Sequence, residues 1–129
     1  MTAIRELADL RVTLDKLERS PMGHLPGTPE GSFAFTYHIT IHNDTAETVT
    51  IKARKWVLQD GEGRISAYEG DGVVGAFPKL EPGERFHYHS YHLVTASSSA
   101  EGAYLGVNEQ GEPVLARIPR FQMDVPDAV

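Results

Sequence analysis

An all-β, antiparallel sandwich of about seven strands is the fold class this sequence predicts. Three observations carry that reading. Apolar and polar residues alternate at period two in several segments, the mark of half-buried strands. Turn residues, drawn from 12 glycines and 8 prolines, punctuate the chain, spaced about every 8–12 residues as in all-β domains. No segment of any length repeats its apolar residues at the helical period.

The first strand runs from about Leu10 to Leu17, with Leu10, Val12 and Leu14 on one face and Arg11, Thr13 and Asp15 on the other. Ahead of it, Thr2 to Leu10 allows a helical turn, too short to be stable alone. Residues 1–9 are therefore read as an N-terminal extension to a domain spanning residues 10–126. The segment Ser20–Gly31 holds three prolines and three glycines in twelve residues and is expected to be a long loop. The clearest strand follows. Phe33, Phe35, Tyr37, Ile39 and Ile41 take every odd position, and Ala34, Thr36, His38, Thr40 and His42 every even one. Burying such a face is worth on the order of 10 kcal/mol gross, most of it offset by chain ordering.

Val49, Ile51 and Ala53 alternate with Thr50, Lys52 and Arg54, after which Trp56 and Leu58 take the opposite parity. A β-bulge near Arg54-Lys55 would restore the inward face. Asp60-Gly61 is a hairpin signal, and Arg64 to Glu69 returns as a short strand. Gly70–Gly75 is a glycine-rich loop, and Glu81-Pro82-Gly83-Glu84 a tight turn. Phe86, Tyr88 and Ser90 then alternate with His87, His89 and Tyr91. Ala96 to Glu101 is small and polar and reads as loop, Gly102 to Val107 as strand. A final strand from Val114 to Val125 is interrupted by Pro119, which marks a bend or an edge. The predicted core gathers Phe35, Tyr37, Ile39, Trp56, Phe86 and Tyr88, which share one inward parity.

With 129 residues, the chain is long enough for one domain with a real core. Twelve Lys and Arg against eighteen Asp and Glu give a net charge of −6, which argues against nucleic acid and anionic lipid as partners. The absence of cysteine removes disulfides, thiolate metal sites and Cys nucleophiles. It fits a reducing compartment, and with no membrane-length apolar run and no secretory leader pattern the expected location is the cytoplasm.

Several ordered segments together resemble the ApaG family, also called DUF525. They are Phe33-Ala34-Phe35-Thr36-Tyr37-His38-Ile39-Thr40-Ile41 with Asn43, and Trp56-Val57-Leu58 before Asp60-Gly61. Gly70-Asp71-Gly72-Val73-Val74-Gly75 with Pro78, and Leu80-Glu81-Pro82-Gly83-Glu84 with Phe86 and Tyr88, follow. Gly102 with Tyr104 and Ile118-Pro119-Arg120-Phe121 complete the set, which spans roughly residues 10–126. The resemblance implies an immunoglobulin-like or fibronectin-III-like sandwich in a small bacterial cytoplasmic protein, sometimes dimeric. It also implies a phenotypic link to cobalt and magnesium tolerance and, from eukaryotic proteins carrying the domain, a role as an interaction module. It offers no catalytic residues to transfer.

Three constellations carry candidate chemistry. Gly70, Asp71, Gly72, Val73, Val74 and Gly75 match the dinucleotide string G-x-G-x-x-G, but no helix follows, so the Rossmann reading fails. An anion nest of backbone N–H groups, or a purely structural turn, remains open for this loop. His87 and His89 lie two apart on one strand, about 7 Å, and could chelate a divalent metal, with His38 or His42 as a third ligand across the ladder. A solvated face is the plainer reading. His38 and His42 themselves are about 13 Å apart, too far to share an ion. Lys52, Arg54 and Lys55 form a local basic run, read as a solvated strand face that could also meet an acidic partner. No nucleophile elbow is present, and no catalytic residue is assigned. The sequence therefore points to a non-enzymatic binding module, with an unknown protein partner or a second copy of the chain as its ligand and no cofactor. The alternatives are nucleotide or phosphate binding at Gly70–Gly75 and metal binding by the surface histidines.

Overall fold

The computed structural model describes residues 3–126. Nine strands follow one another: β1 (Arg5–Glu6), β2 (Leu10–Pro21), β3 (Phe33–Asn43), β4 (Val49–Asp60), β5 (Ile65–Asp71), β6 (Lys79–Leu80), β7 (Arg85–Val94), β8 (Ser98–Asn108) and β9 (Pro113–Met123). Two of these, β1 and β6, are two-residue strands, leaving seven long ones, as the alternation predicts. They form two sheets. The larger runs β1-β9-β8-β4-β5, with β6 beside the start of β4; the smaller runs β2-β3-β7. All pairs are antiparallel except β1 with β9. Among the described residues no helix is long and apolar enough to cross a membrane.

The core lies between the sheets and holds the expected side chains. Phe35, Tyr37, Ile39 and Ile41 of β3 face Trp56 and Leu58 of β4 and Tyr104 of β8 within one buried cluster, and Phe86 packs at its margin. Tyr37 meets Trp56 at a ring separation of 4.8 Å, and Tyr88 meets Tyr104 edge-on at 6.3 Å, both within the aromatic contact range. The Tyr88 and Tyr104 hydroxyls bond to each other, which satisfies two polar groups far from water.

Four local expectations are corrected. The N-terminal extension carries no helical turn in its described part: Arg5 and Glu6 pair with Val114 and Leu115 on β9, and Arg5 holds Glu47 at 2.8 Å. Thr2 lies outside the described residues. The long loop starts later than Ser20, because Ser20 and Pro21 still pair with Ala34 and Phe33. The small residues Ser98, Ser99 and Ala100 belong to a strand rather than a loop, because they are sandwiched in register between β4 and β9, and that pairing overrides their weak strand propensity. The bulge in β4 falls between Ile51 and Ala53, at Lys52, instead of near Arg54-Lys55. Pro119 does sit beside an irregularity: Ala100 pairs with Phe121 and Gly102 with Ile118, so β9 carries an extra residue there.

The two sheets differ in width, and this shapes the surface. A three-stranded sheet cannot cover five strands abreast. Strand β2 lies against β9, and at the other end β5 overhangs. Its residues are exposed on both faces apart from a half-buried Gly70, with Ile65 at 64% and Tyr68 at 53%.

Candidate functional site

The overhang of β5 and the neighbouring edge of β7 enclose a cleft. Antiparallel partners share a face, so Tyr68, Ser66 and Gly70 of β5 stand on the same side as Trp56, Leu58 and Arg54 of β4. That side is the inner one, because Trp56 and Leu58 are buried there. The cleft holds a cavity of about 310 Å³ with Tyr37, Arg54, Trp56, Tyr68, Ser90 and His92 in its lining. Tyr91 and Leu93 of β7 form the rim, and a second hollow continues past Leu93 toward Asp60, Arg64 and Ser98.

Three side chains take places in the cleft that the sequence does not disclose. The bulge at Lys52 resets the parity of β4, so Arg54 joins Trp56 and Leu58 on the inner face. The basic run Lys52-Arg54-Lys55 is thereby dispersed: Lys52 lies over the Phe77 ring, Lys55 pairs with Glu69 at 3.5 Å, and Arg54 turns inward. The guanidinium of Arg54 lies flat against Gly70, where a Cβ would meet it at 2.7 Å, so glycine there makes room for the charge. Its Nη1 donates to the carbonyls of Asp71 at 2.8 Å and Gly72 at 3.1 Å. Among the described residues no carboxylate pairs with it.

His92 is the second. It continues the inward parity of Phe86, Tyr88 and Ser90, and only 8% of its surface is exposed. Its ring lies 4.8 Å from Tyr37 and 4.5 Å from Trp56. Burial without a charge partner pushes its pKa down to about 4, so the imidazole is neutral near pH 7. Its Nε2 is buried and has no hydrogen-bond partner. The third is Trp56, expected only as core. Its indole N–H lies near the Tyr37 hydroxyl, yet makes no hydrogen bond of acceptable geometry. Two buried ring nitrogens without partners beside one open cavity are unusual, since such groups are nearly always satisfied.

The glycine loop is a tight turn. Val73 and Ala76 exchange both backbone hydrogen bonds, at 2.8 and 2.9 Å. Val74 and Gly75, at φ 44° and 80°, form the two-residue tip of a primed hairpin turn. Gly72 has φ 61°, and a Cβ there would strike the Ala76 carbonyl at 2.3 Å. Its N–H donates to Lys52. The amides of Gly72 and Val73 are thus committed within the protein, and the carbonyls of Asp71 and Gly72 turn to Arg54.

The histidines lie where the alternation places them. His38 on β3 stands opposite His89 on β7, and Thr40 opposite His87, on the outer face of the smaller sheet. The His38 ring is 5.3 Å from that of His89 and 6.1 Å from that of His87. His42 is further along and lies opposite Arg85. Strand β2 adds two acids to this face. Thr40 and Thr13 donate their hydroxyl protons to Asp15, at 2.5 and 2.8 Å, and each then accepts from an imidazole: His87 Nδ1 at 3.0 Å and His42 Nε2 at 3.0 Å. Glu18 bonds His38 at 2.9 Å. These bonds hold Asp15 and Glu18 below the usual carboxylate range, by the Thr40 hydroxyl for Asp15 and by His38 for Glu18. Among the described residues no three His, Asp or Glu converge as a metal site.

Sandwich, aromatic core and glycine hairpin define a class: an all-β, two-sheet sandwich domain. Comparison with known proteins supplies the family. The model of the ApaG domain, DUF525, matches residues 26–108, and the chain belongs to that family. It is 42% identical over 99 residues to Protein ApaG of Bradyrhizobium sp., covering 76% of each chain. It is 40% identical over 114 residues to Protein ApaG of Xanthomonas oryzae pv. oryzae, covering 86% of this chain and 90% of that one. A crystal structure of the protein described as ApaA from Bordetella pertussis superposes with a TM-score of 0.70 at 27% identity, covering 98% of this chain and all of the other.

Proposed function

We propose that this chain is a non-enzymatic binding module that docks an extended segment of another protein in the cleft between β5 and β7. The observation that carries this reading is the unequal width of the two sheets. It leaves two strand edges with unpaired backbone groups side by side and three large apolar side chains around them: Tyr68, Tyr91 and Leu93, each at least 40% exposed. An open sheet edge offers backbone hydrogen bonds to an added strand, and the flanking side chains give that strand its specificity. The cytoplasm remains the setting in which we expect this docking.

Affinity capture from the native extract tests it, with wild type and a Tyr68→Glu/Leu93→Glu variant compared. Both positions are exposed, and the variant's fold is checked by circular dichroism. The reading expects a protein retained by wild type and lost by the variant, with slowed amide exchange in β5 and β7 when that protein is bound. Equal capture by both forms, or protection confined to the outer histidine face, would contradict it.

A further inference from the structure

We propose that the cavity at the floor of this cleft receives the carboxylate of an acidic side chain from the docked segment. The inference rests on the docking reading above and adds the chemistry of recognition. The cavity is rich in donors. Arg54 brings a full positive charge, and its described bonds use Nη1 alone. The Trp56 indole N–H is sealed within the wall, so Trp56 gives the cavity its aromatic surface. Ser90 and Tyr68 bring hydroxyls. His92 is a neutral ring whose Nε2 is likewise sealed within the wall. No carboxylate lines the cavity to compete for these groups.

Size and charge select among anions. A cavity of about 310 Å³ is at the small end for ligand sites, suited to one side chain rather than a nucleotide. One guanidinium balances one negative charge, and its planar fork matches a carboxylate. A phosphate dianion would leave a charge uncompensated beside the aromatic rings of Tyr37 and Trp56. The net charge of −6 does not oppose this reading at contact distance, because charges beyond roughly 10 Å are screened at ordinary ionic strength.

The single tryptophan sits in the cavity wall and reports occupancy directly. Trp56 fluorescence is followed while the full chain is titrated with acetyl-Val-Glu-Val-amide, its Gln counterpart, benzoate, benzamide and inorganic phosphate. The expected result is a saturable change with the Glu peptide and with benzoate, and binding of each neutral analogue weaker by about tenfold or more, the worth of one charge-assisted hydrogen bond. Arg54→Gln should erase that discrimination. Because Arg54 also ties the Asp71 and Gly72 carbonyls, its folding is checked by near-ultraviolet circular dichroism. A second readout needs no variant: benzoate should raise the pKa of His92, followed by its imidazole proton resonances. Equal binding of charged and neutral analogues, absence of any saturable change, or tighter binding of phosphate would overturn the proposal. Benzoate binding without Glu-peptide binding would also overturn it, since the acid would then not be peptide-borne. These probes act without the partner. Saturable carboxylate binding together with failed protein capture would therefore break the docking reading alone.

Discussion

The outer face of the smaller sheet and the inner face at the β5 end are both rich in histidine or arginine, yet they solve opposite problems. On the outer face His38, His42 and His87 each have a hydrogen-bond partner. Asp15, Thr13, Thr40, His42 and His87 form one hydrogen-bonded chain, and Glu18 and His38 another. In the cleft, Arg54 has only carbonyl partners, and Trp56 Nε1 and His92 Nε2 have none. A satisfied polar surface asks nothing of a ligand. A half-enclosed one whose guanidinium has only carbonyl partners does, because a carboxylate can make charge-assisted hydrogen bonds to it. Histidine abundance is therefore a poor guide here, and the hydrogen-bond accounting is the better one.

Removing the floor of the cleft has the largest expected effect. Trp56→Ala should cost about 3–5 kcal/mol, the range for deleting a buried large aromatic side chain, measured by urea unfolding. If Trp56→Ala unfolds no more easily than an exposed-residue variant, the cleft floor is not core.

The second test uses acid. The folded pKa of His92 is depressed, to about 4, against an ordinary imidazole value near 6.5. The unfolded chain thus binds a proton first as pH falls. Stability is full above pH 6.5 and declines between there and about 4, by about 3 kcal/mol in all. His92→Phe should flatten that part of the profile. The carboxylates Asp15 and Asp60, held low by the Thr40 hydroxyl and by the Arg64 backbone, lose their contribution only at lower pH.

Gly72→Ala comes next. It places a Cβ at positive φ and against the Ala76 carbonyl, which should cost roughly 2 kcal/mol, equally with and without nucleotide. Micromolar nucleotide binding that this variant abolishes would revive the glycine loop as a site. The smallest effect belongs to the outer face, where His38→Ala and His89→Ala should each stay within about 0.5 kcal/mol of wild type. Calorimetry with Co²⁺, Ni²⁺ and Zn²⁺ should show no tight binding that a His87→Ala/His89→Ala variant removes; such binding would invert the comparison.

What the sequence discloses follows from how each feature is encoded. Period-two alternation is a strong local signal, so β3, β7 and the outward set His38, His42, His87 and His89 are legible residue by residue. The switch of parity in β4 is equally visible, but its position is not. Alternation shows only that one residue is extra between Ile51 and Trp56, and a bulge at any of several positions restores it. The pairing of Ile51 with Gly106 and Ala53 with Leu105 decides the matter, and that information lies half a chain away. The choice turns Arg54 from a solvated lysine-like neighbour into the charge of the cleft. His92 had a readable signal, the inward parity of Tyr88 and Ser90 carried two residues further, but sequence alone gave no reason to follow it past Tyr91. The strand at Ser98–Ala100 was hidden altogether, because small residues acquire strand character only from neighbours on both sides.

His92 lies buried in the wall of the Arg54 cavity, and one imidazole titration by nuclear magnetic resonance reads that burial. Resonances assigned by single substitution should show His92 titrating near pH 4, its ring sheltered between Tyr37 and Trp56. A His92 that titrates at the ordinary imidazole value, near 6.5, would mean an open or otherwise partnered ring, and the cleft as described would not exist.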